Sequence, residues 1–219
     1  DLRKMAKRKP HHPHLSKLPL LFSFFFLLSL MGCAEVQTSS SPTRITPQIS
    51  KGKKIADLAL LDSQGRAVNL YPLLQQSKKT ALIFYRGYWC SYSQGQFADL
   101  RARLSEFQAQ NTQLIGVSVD DPDLVAEFGR NVERQYLIAT KQFKEDEKIE
   151  LPFLLLSDAS REAIQKLGIA EEHPRFGLVA RPTTILLDKE GTIQWLYIGK
   201  SPGDRPTVES MLQILKWWF

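Results

Sequence analysis

Two apolar runs constrain this chain more than anything else in it: Thr80–Tyr85, TALIFY, and Leu114–Val119, LIGVSV. Both are short and rich in aliphatic and aromatic residues, which suits strands buried on both faces. Between them, residues 94–109 place Phe97, Leu100, Leu104 and Phe107 at helical spacing, with Asp99, Arg101, Arg103 and Glu106 interleaved. A right-handed strand-helix-strand crossover sets the two strands side by side in the centre of a covered sheet. The loop after TALIFY then opens at the carboxyl edge of the sheet, where α/β proteins place their chemistry.

The rest of the chain extends this pattern. Ala56–Leu61 and Ala67–Leu70 flank a Ser63-Gln64-Gly65 turn and read as a small N-terminal hairpin. Asp120-Asp121-Pro122 starts a helix over Leu124–Tyr136, and the charged stretch 137–150 reads as a helical insertion. Pro152–Leu156 reads as a strand and Arg161–Leu167 as a short helix stopped at Gly168. Thr183–Asp188 and Thr192–Ile198 form a hairpin around Lys189-Glu190-Gly191, and Pro206–Phe219 closes as a helix. The expected fold is α/β, with a mixed central sheet, helices on both faces and an N-terminal β-hairpin extension.

Composition matters mainly through where the charge lies. Six of the 29 Lys/Arg and one of the 23 Asp/Glu fall in residues 1–32, leaving 23 against 22 in the remainder. A body so nearly neutral lacks the clustered cations that phosphate binding requires, which sets nucleic acid aside as a partner. The basic stretch to Lys17, the 14-residue apolar run Leu18–Met31 and the small Gly32 before Cys33 have the layout of a secretory signal, too short for a comfortable membrane span. Gly32-Cys33 resembles a bacterial lipobox, which implies a signal over 1–32, lipidation at Cys33 and a location on a membrane of the bacterial cell envelope. Residues 33–51, rich in Ser, Thr and Pro, are expected to be a flexible tether, with the folded domain over 52–219.

With Cys33 committed to lipid, Cys90 is the one remaining thiol, and no intramolecular disulfide can form. Two readings of it compete. As structure, it is a small apolar residue packed beside Trp89. As chemistry, it stands at a strand-to-helix junction, where unpaired backbone N–H groups and the helix dipole favour a thiolate. Metal binding lacks ligands, since His173 is the only histidine after Cys33 and reads as a loop residue before Pro174. No Gly-rich phosphate loop appears, and no metal or other cofactor is expected.

The segments LIFYRGYWCSYS (82–93), IGVSVDDPD (115–123), FLLLSD (153–158), ARPTTILLDKEGTI (180–193) and GDRPTVESML (203–212) resemble the peroxiredoxin-like redoxins of the alkyl hydroperoxide reductase and thiol-specific antioxidant family, from about Gly52 to Phe219. The resemblance implies a thioredoxin-like fold, with Cys90 as nucleophile and Pro182 matching the cis-proline that faces it. It makes Arg181 the candidate catalytic arginine and Arg86 a second cation beside the thiolate, although each also reads as a surface charge. Trp89 and Gly87 join Pro182 and Arg86 as candidate substrate-binding residues. The catalytic arginine of the family falls near where Pro182 stands, displaced here by one to Arg181, and the chain departs from the family at three further positions. Ser93 stands where the redox loops carry a second cysteine, so it can hydrogen-bond a thiolate but not resolve it. Gly87 and Ile83 replace the Thr or Ser and the Pro that typical peroxiredoxins place before their cysteine.

Three functions follow from one thiol. Cys90 attacks a peroxide and its sulfenic acid is resolved by an external small thiol or thioredoxin-like protein; or it exchanges with a disulfide through a mixed disulfide. In the third, the module binds a partner without catalysis, using Tyr88, Trp89 and Tyr92 as contacts.

Overall fold

The computed structural model describes residues 46–217; the candidate signal, Cys33 and most of the tether lie outside the described residues. Nine strands and six helices run β1 (Ala59–Leu61), β2 (Ala67–Asn69), α1 (Leu70–Leu74), β3 (Lys79–Phe84), α2 (Ser91–Ala102), α3 (Leu104–Ala109), β4 (Thr112–Ser118), α4 (Pro122–Ala139), β5 (Leu154–Ser157), α5 (Glu162–Lys166), β6 (Ala170–His173), β7 (Gly177–Ala180), β8 (Thr183–Asp188), β9 (Ile193–Ile198) and α6 (Val208–Lys216) among these residues. Seven strands make one mixed sheet in the order β2-β1-β5-β4-β3-β8-β9, and β6-β7 form a separate hairpin.

The two apolar runs are the central parallel pair, in register from Lys79 opposite Thr112 to Phe84 opposite Val117. Strand alternation sorts their side chains into two cores. Leu82 and Phe84 join Ile115, Val117, Leu156, Ile164 and Ile169 on the face covered by α5 and the β6–β7 hairpin. Ala81, Ile83 and Tyr85 join Phe97, Leu100, Phe107, Phe128 and Met211 on the face covered by α2, α3, α4 and α6. At Gly116 a Cβ would lie 2.6 Å from Phe97 Cε1, so the absence of a side chain in β4 lets α2 sit directly on the sheet.

The register fixes which loops share an edge. Thr183 at the start of β8 lies opposite Phe84 at the end of β3 and opposite Ile198 at the end of β9. The loop after β3, Pro182 before β8 and the 199–207 loop after β9 therefore emerge together.

Several local expectations are corrected. The folded unit begins before Gly52: Gln48 N–H donates to Leu167 O at 3.0 Å, and Ile49 packs on the core. The helix after Cys90 starts at Ser91 and breaks at Arg103, whose guanidinium pairs with Glu106 of the next turn (2.6 Å) and Glu209 of α6 (2.8 Å). The stretch 137–150 is not a helical insertion. α4 ends at Ala139, and the following residues are exposed and non-helical, since they are too polar to bury an amphipathic face. The β6–β7 hairpin replaces the loop expected around His173.

Candidate active site

Cys90 is the N-cap residue of α2, in extended conformation (φ −87°, ψ 110°), with its own carbonyl accepting from Ser93 N at 2.9 Å and Gln94 N at 3.0 Å. The preceding turn is held from below by the end of β4. Asp120 Oδ2 accepts from Tyr88 N at 2.8 Å and from Ser118 Oγ at 2.8 Å. Burial raises the Asp120 pKa, and these two hydrogen bonds offset part of the rise. Gly87 has φ +148°, and a Cβ there would lie 2.6 Å from Trp89 Nε1 and 3.1 Å from Asp120 Oδ1. Its role in the turn is to allow that close approach.

The thiol is only 4% exposed. Burial pushes its pKa up, but the Ser93 hydroxyl, the Ser93 N–H and the charges of Arg205 and Arg86 outweigh it, so the pKa falls below the ordinary thiol value. Ser93 is fully buried, and its Oγ accepts from Arg205 Nη2 at 3.1 Å. A serine oxygen carries a single proton, so accepting from Arg205 leaves that proton to point at the sulfur.

Arg205 comes from the 199–207 loop and is fixed on three sides. Its Nε donates to Gln96 Oε1 of α2 at 2.9 Å, Nη1 donates to Pro202 O, and Nη2 reaches Ser93. It also acts on Cys90 by charge and hydrogen bond. The loop itself is tied by Asp204, which accepts from Lys200 N at 2.8 Å and from Tyr197 Oη. A Cβ on Gly199 would lie 2.3 Å from Asp204 O, which shows how tightly the loop is drawn.

Arg181, the arginine expected at the thiol, directs Nη2 to Gly199 O at 3.4 Å, while its backbone N–H donates to Ile169 O at 2.8 Å. The charges of Arg205 and Arg86 are among those that lower the Cys90 pKa. Pro182 stands at the entry to β8, its carbonyl accepting from Gly199 N at 2.7 Å. Arg86 pairs its Nε with Glu171 Oε1 of β6 at 3.0 Å and lies over the Trp89 ring at 5.1 Å. Trp89 stacks on Phe176 at 4.3 Å and meets the His173 ring at 4.6 Å. His173 Nδ1 is turned inward to accept from Arg175 N and Phe176 N at 3.2 and 3.3 Å. Sequence patterns alone do not single out Arg205, Gln96 or Glu171; the one pointer to Arg205 is its place in the segment GDRPTVESML.

A seven-stranded mixed sheet with helices on both faces and a cysteine of lowered pKa at the N-cap position of a helix defines a thioredoxin-fold protein with a cysteine-centred site. The chain belongs to the AhpC/TSA family, whose pattern matches residues 51–196. It is 27% identical over 150 residues to "Peroxiredoxin Q, chloroplastic" of Oryza sativa subsp. japonica, covering 68% of this chain and 59% of that relative, less than two thirds of its length. Among solved structures, peroxidoxin BcpB from Mycobacterium tuberculosis shares the fold with a TM-score of 0.63 at 19% identity, covering 78% of this chain and 99% of that one. A yeast mitochondrial 1-Cys peroxiredoxin, solved for its thiol resolving mechanism via glutathione/thioredoxin systems, shares it with a TM-score of 0.63 at 13% identity over 77% of this chain and 75% of that one.

Proposed function

We propose that this protein is a thiol-dependent peroxidase that uses Cys90 alone and is regenerated by an external thiol. The observation that carries the reading is the pairing of Cys90 with Ser93 and Arg205: a buried thiol lowered in pKa by a fixed hydroxyl and a fixed guanidinium. Membership of the AhpC/TSA family and similarity to peroxiredoxin Q support it. In the first step the Cys90 thiolate attacks the terminal oxygen of a hydroperoxide. The S–O bond forms, the O–O bond breaks, and the departing alkoxide or hydroxide takes up a proton; Cys90 becomes a sulfenic acid. Arg205 and the Ser93 hydroxyl stabilise the thiolate before attack, and Arg205 is placed to stabilise charge developing on the oxygens.

No second cysteine accompanies Cys90 among the described residues. One external thiol therefore attacks the sulfenic sulfur, releasing water and forming a mixed disulfide, and a second frees Cys90 as the external disulfide leaves. External resolution of this kind, via glutathione and thioredoxin systems, is what the yeast 1-Cys neighbour was solved to explain. The reading extends to a lipid tether at Cys33 on the bacterial cell envelope, which rests on the basic, apolar and small-residue order of residues 1–33. Replacing Cys33 by Ser is expected to move the protein from the membrane fraction to the soluble one.

Stopped-flow oxidation of Cys90 by hydrogen peroxide tests the chemistry. A second-order rate far above that of free cysteine, abolished by Cys90→Ser, is expected. A rate equal to free cysteine overturns the peroxidase reading, and rapid reaction with a disulfide in its place would assign exchange chemistry instead.

A further inference from the structure

One ion pair beside the thiol takes no part in the steps above. Arg86 follows β3, four residues before Cys90, and its field reaches the sulfur. Its Nε nevertheless donates to Glu171 Oε1 at 3.0 Å, with the arginine side chain 10% and the glutamate side chain 32% exposed. Glu171 is held at this point by the whole β6–β7 hairpin. The hairpin is fastened to the active-site loop by the Phe176–Trp89 stack and the His173–Trp89 contact, and Trp89 in turn lies beneath the Arg86 guanidinium. One cation therefore faces two anions, a carboxylate in contact with it and a thiolate nearby.

We propose that Glu171 is a positioning residue that sets the acidity of Cys90 by drawing Arg86 toward β6 and neutralising part of its charge. The charged and titratable groups around the thiol come from four directions. Arg86 approaches from the end of β3, and Glu171 stands behind it on β6, with His173 beyond Trp89. Arg205 approaches from the loop after β9, and Asp120, just past β4, lies under Tyr88. Of these, Glu171 is the one carboxylate in contact with a cation that acts on the sulfur. Neutralising Glu171 leaves Arg86 uncompensated, and a partly buried charge at such range acts through an environment far less screening than water. The inference rests on the reading of Cys90 as a reactive thiolate, but it makes a separate claim about the residue that tunes it.

The test is Glu171→Gln in the full chain, followed by ultraviolet thiolate absorbance and by the rate of iodoacetamide alkylation across pH. The titration midpoint is expected to fall, giving about threefold more thiolate at a pH below the wild-type midpoint. Glu172→Gln removes the same charge from the neighbouring exposed position and is expected to leave the midpoint in place. Glu171→Asp keeps the carboxylate and is expected to return the midpoint toward wild type. A midpoint that stays or rises in Glu171→Gln, or that falls equally in Glu172→Gln, overturns the proposal. If Glu171→Gln does not fold, Arg86→Gln must raise the midpoint, and failure to do so overturns it as well. A wild-type midpoint at the ordinary thiol value would sink the peroxidase reading itself; a low wild-type midpoint unmoved by Glu171→Gln sinks only this inference.

Discussion

Replacing Ser93 by Ala isolates the hydroxyl that faces the thiolate. Ser93 is fully buried and its Oγ is tied to Arg205, so the substitution removes one oxygen from a packed site without opening a route to solvent. A hydrogen bond to a charged group contributes about 1.5–3 kcal/mol net. The Ser93 N–H and Arg205 both remain, so the lower end applies, and about 1.4 kcal/mol corresponds to a tenfold loss of thiolate at any pH below the midpoint. The rate falls by less, because a thiolate of higher pKa is the better nucleophile. With a Brønsted slope of about 0.4–0.5, a tenfold loss of thiolate is partly offset by a roughly threefold gain in reactivity, for a net loss of about threefold. Above both midpoints, where each protein is fully thiolate, only the gain remains. Stopped-flow peroxide oxidation across pH is therefore expected to show Ser93→Ala slower than wild type on the acid side and faster on the alkaline side, with the curves crossing. An unchanged midpoint would refute the role given to the hydroxyl. A rate depressed at every pH would show that Ser93 acts on the peroxide rather than on the thiol.

Gly87→Ala forces a side chain onto a backbone with φ +148° and into contact with Trp89 Nε1; unfolding in denaturant is expected to show a loss of about 1–3 kcal/mol, and a loss under about 0.5 kcal/mol would contradict the turn geometry. Ser93→Cys places a second thiol one helical turn from Cys90, so one equivalent of peroxide should consume both thiols and yield an intramolecular disulfide by mass; accumulation of a stable sulfenic or sulfinic acid instead would show that the two sulfurs cannot meet. Because the folded-state pKa of Cys90 is depressed, its stabilising contribution is complete above the pKa of the unfolded thiol and is lost as pH falls through the folded value. The stability gap between wild type and Cys90→Ala should therefore widen as pH rises through that window, and a flat difference in denaturant midpoints would count against a depressed thiol.

The parts of the site readable from sequence are those made by short-range order. TALIFY and LIGVSV have no alternative to burial, Phe97 and Leu100 mark the buried face of the helix between them, and Cys90 falls at the helix start because the loop between strand and helix is short. The side chains around the sulfur are another matter, since they arrive from distant points in the chain. Arg205 lies 112 residues after Ser93, in a Gly-Asp-Arg-Pro turn that reads as solvated loop; only the antiparallel β8–β9 return brings it to the edge where Cys90 stands. Arg181 is nearer to the family position in sequence, yet its guanidinium is drawn to Gly199 O. Glu171 sits on β6, and Pro174 within the connection masks the hairpin because it reads as a plain loop. The expected tether ends too late for a similar reason: Gln48 gains its partner, Leu167 O, only in the folded chain.

The chemistry of the loop turns on what Ser93 is, as much as on Cys90. At that position a second sulfur would make the site self-resolving, whereas an oxygen bound by Arg205 is a fixed donor that oxidation does not convert into a partner. The exchange changes the thiol in two linked ways. It supplies a hydrogen-bond donor to the thiolate, and it ties that donor to an arginine anchored by Gln96 and the Pro202 carbonyl. On the proposed peroxidase reading such a site is poised for attack when reduced, and no second cysteine stands beside it among the described residues. Turnover on that reading is governed by the encounter of oxidised Cys90 with an outside thiol, and Tyr88 and Tyr92, exposed on either side of the cysteine, are the side chains such a thiol would meet first.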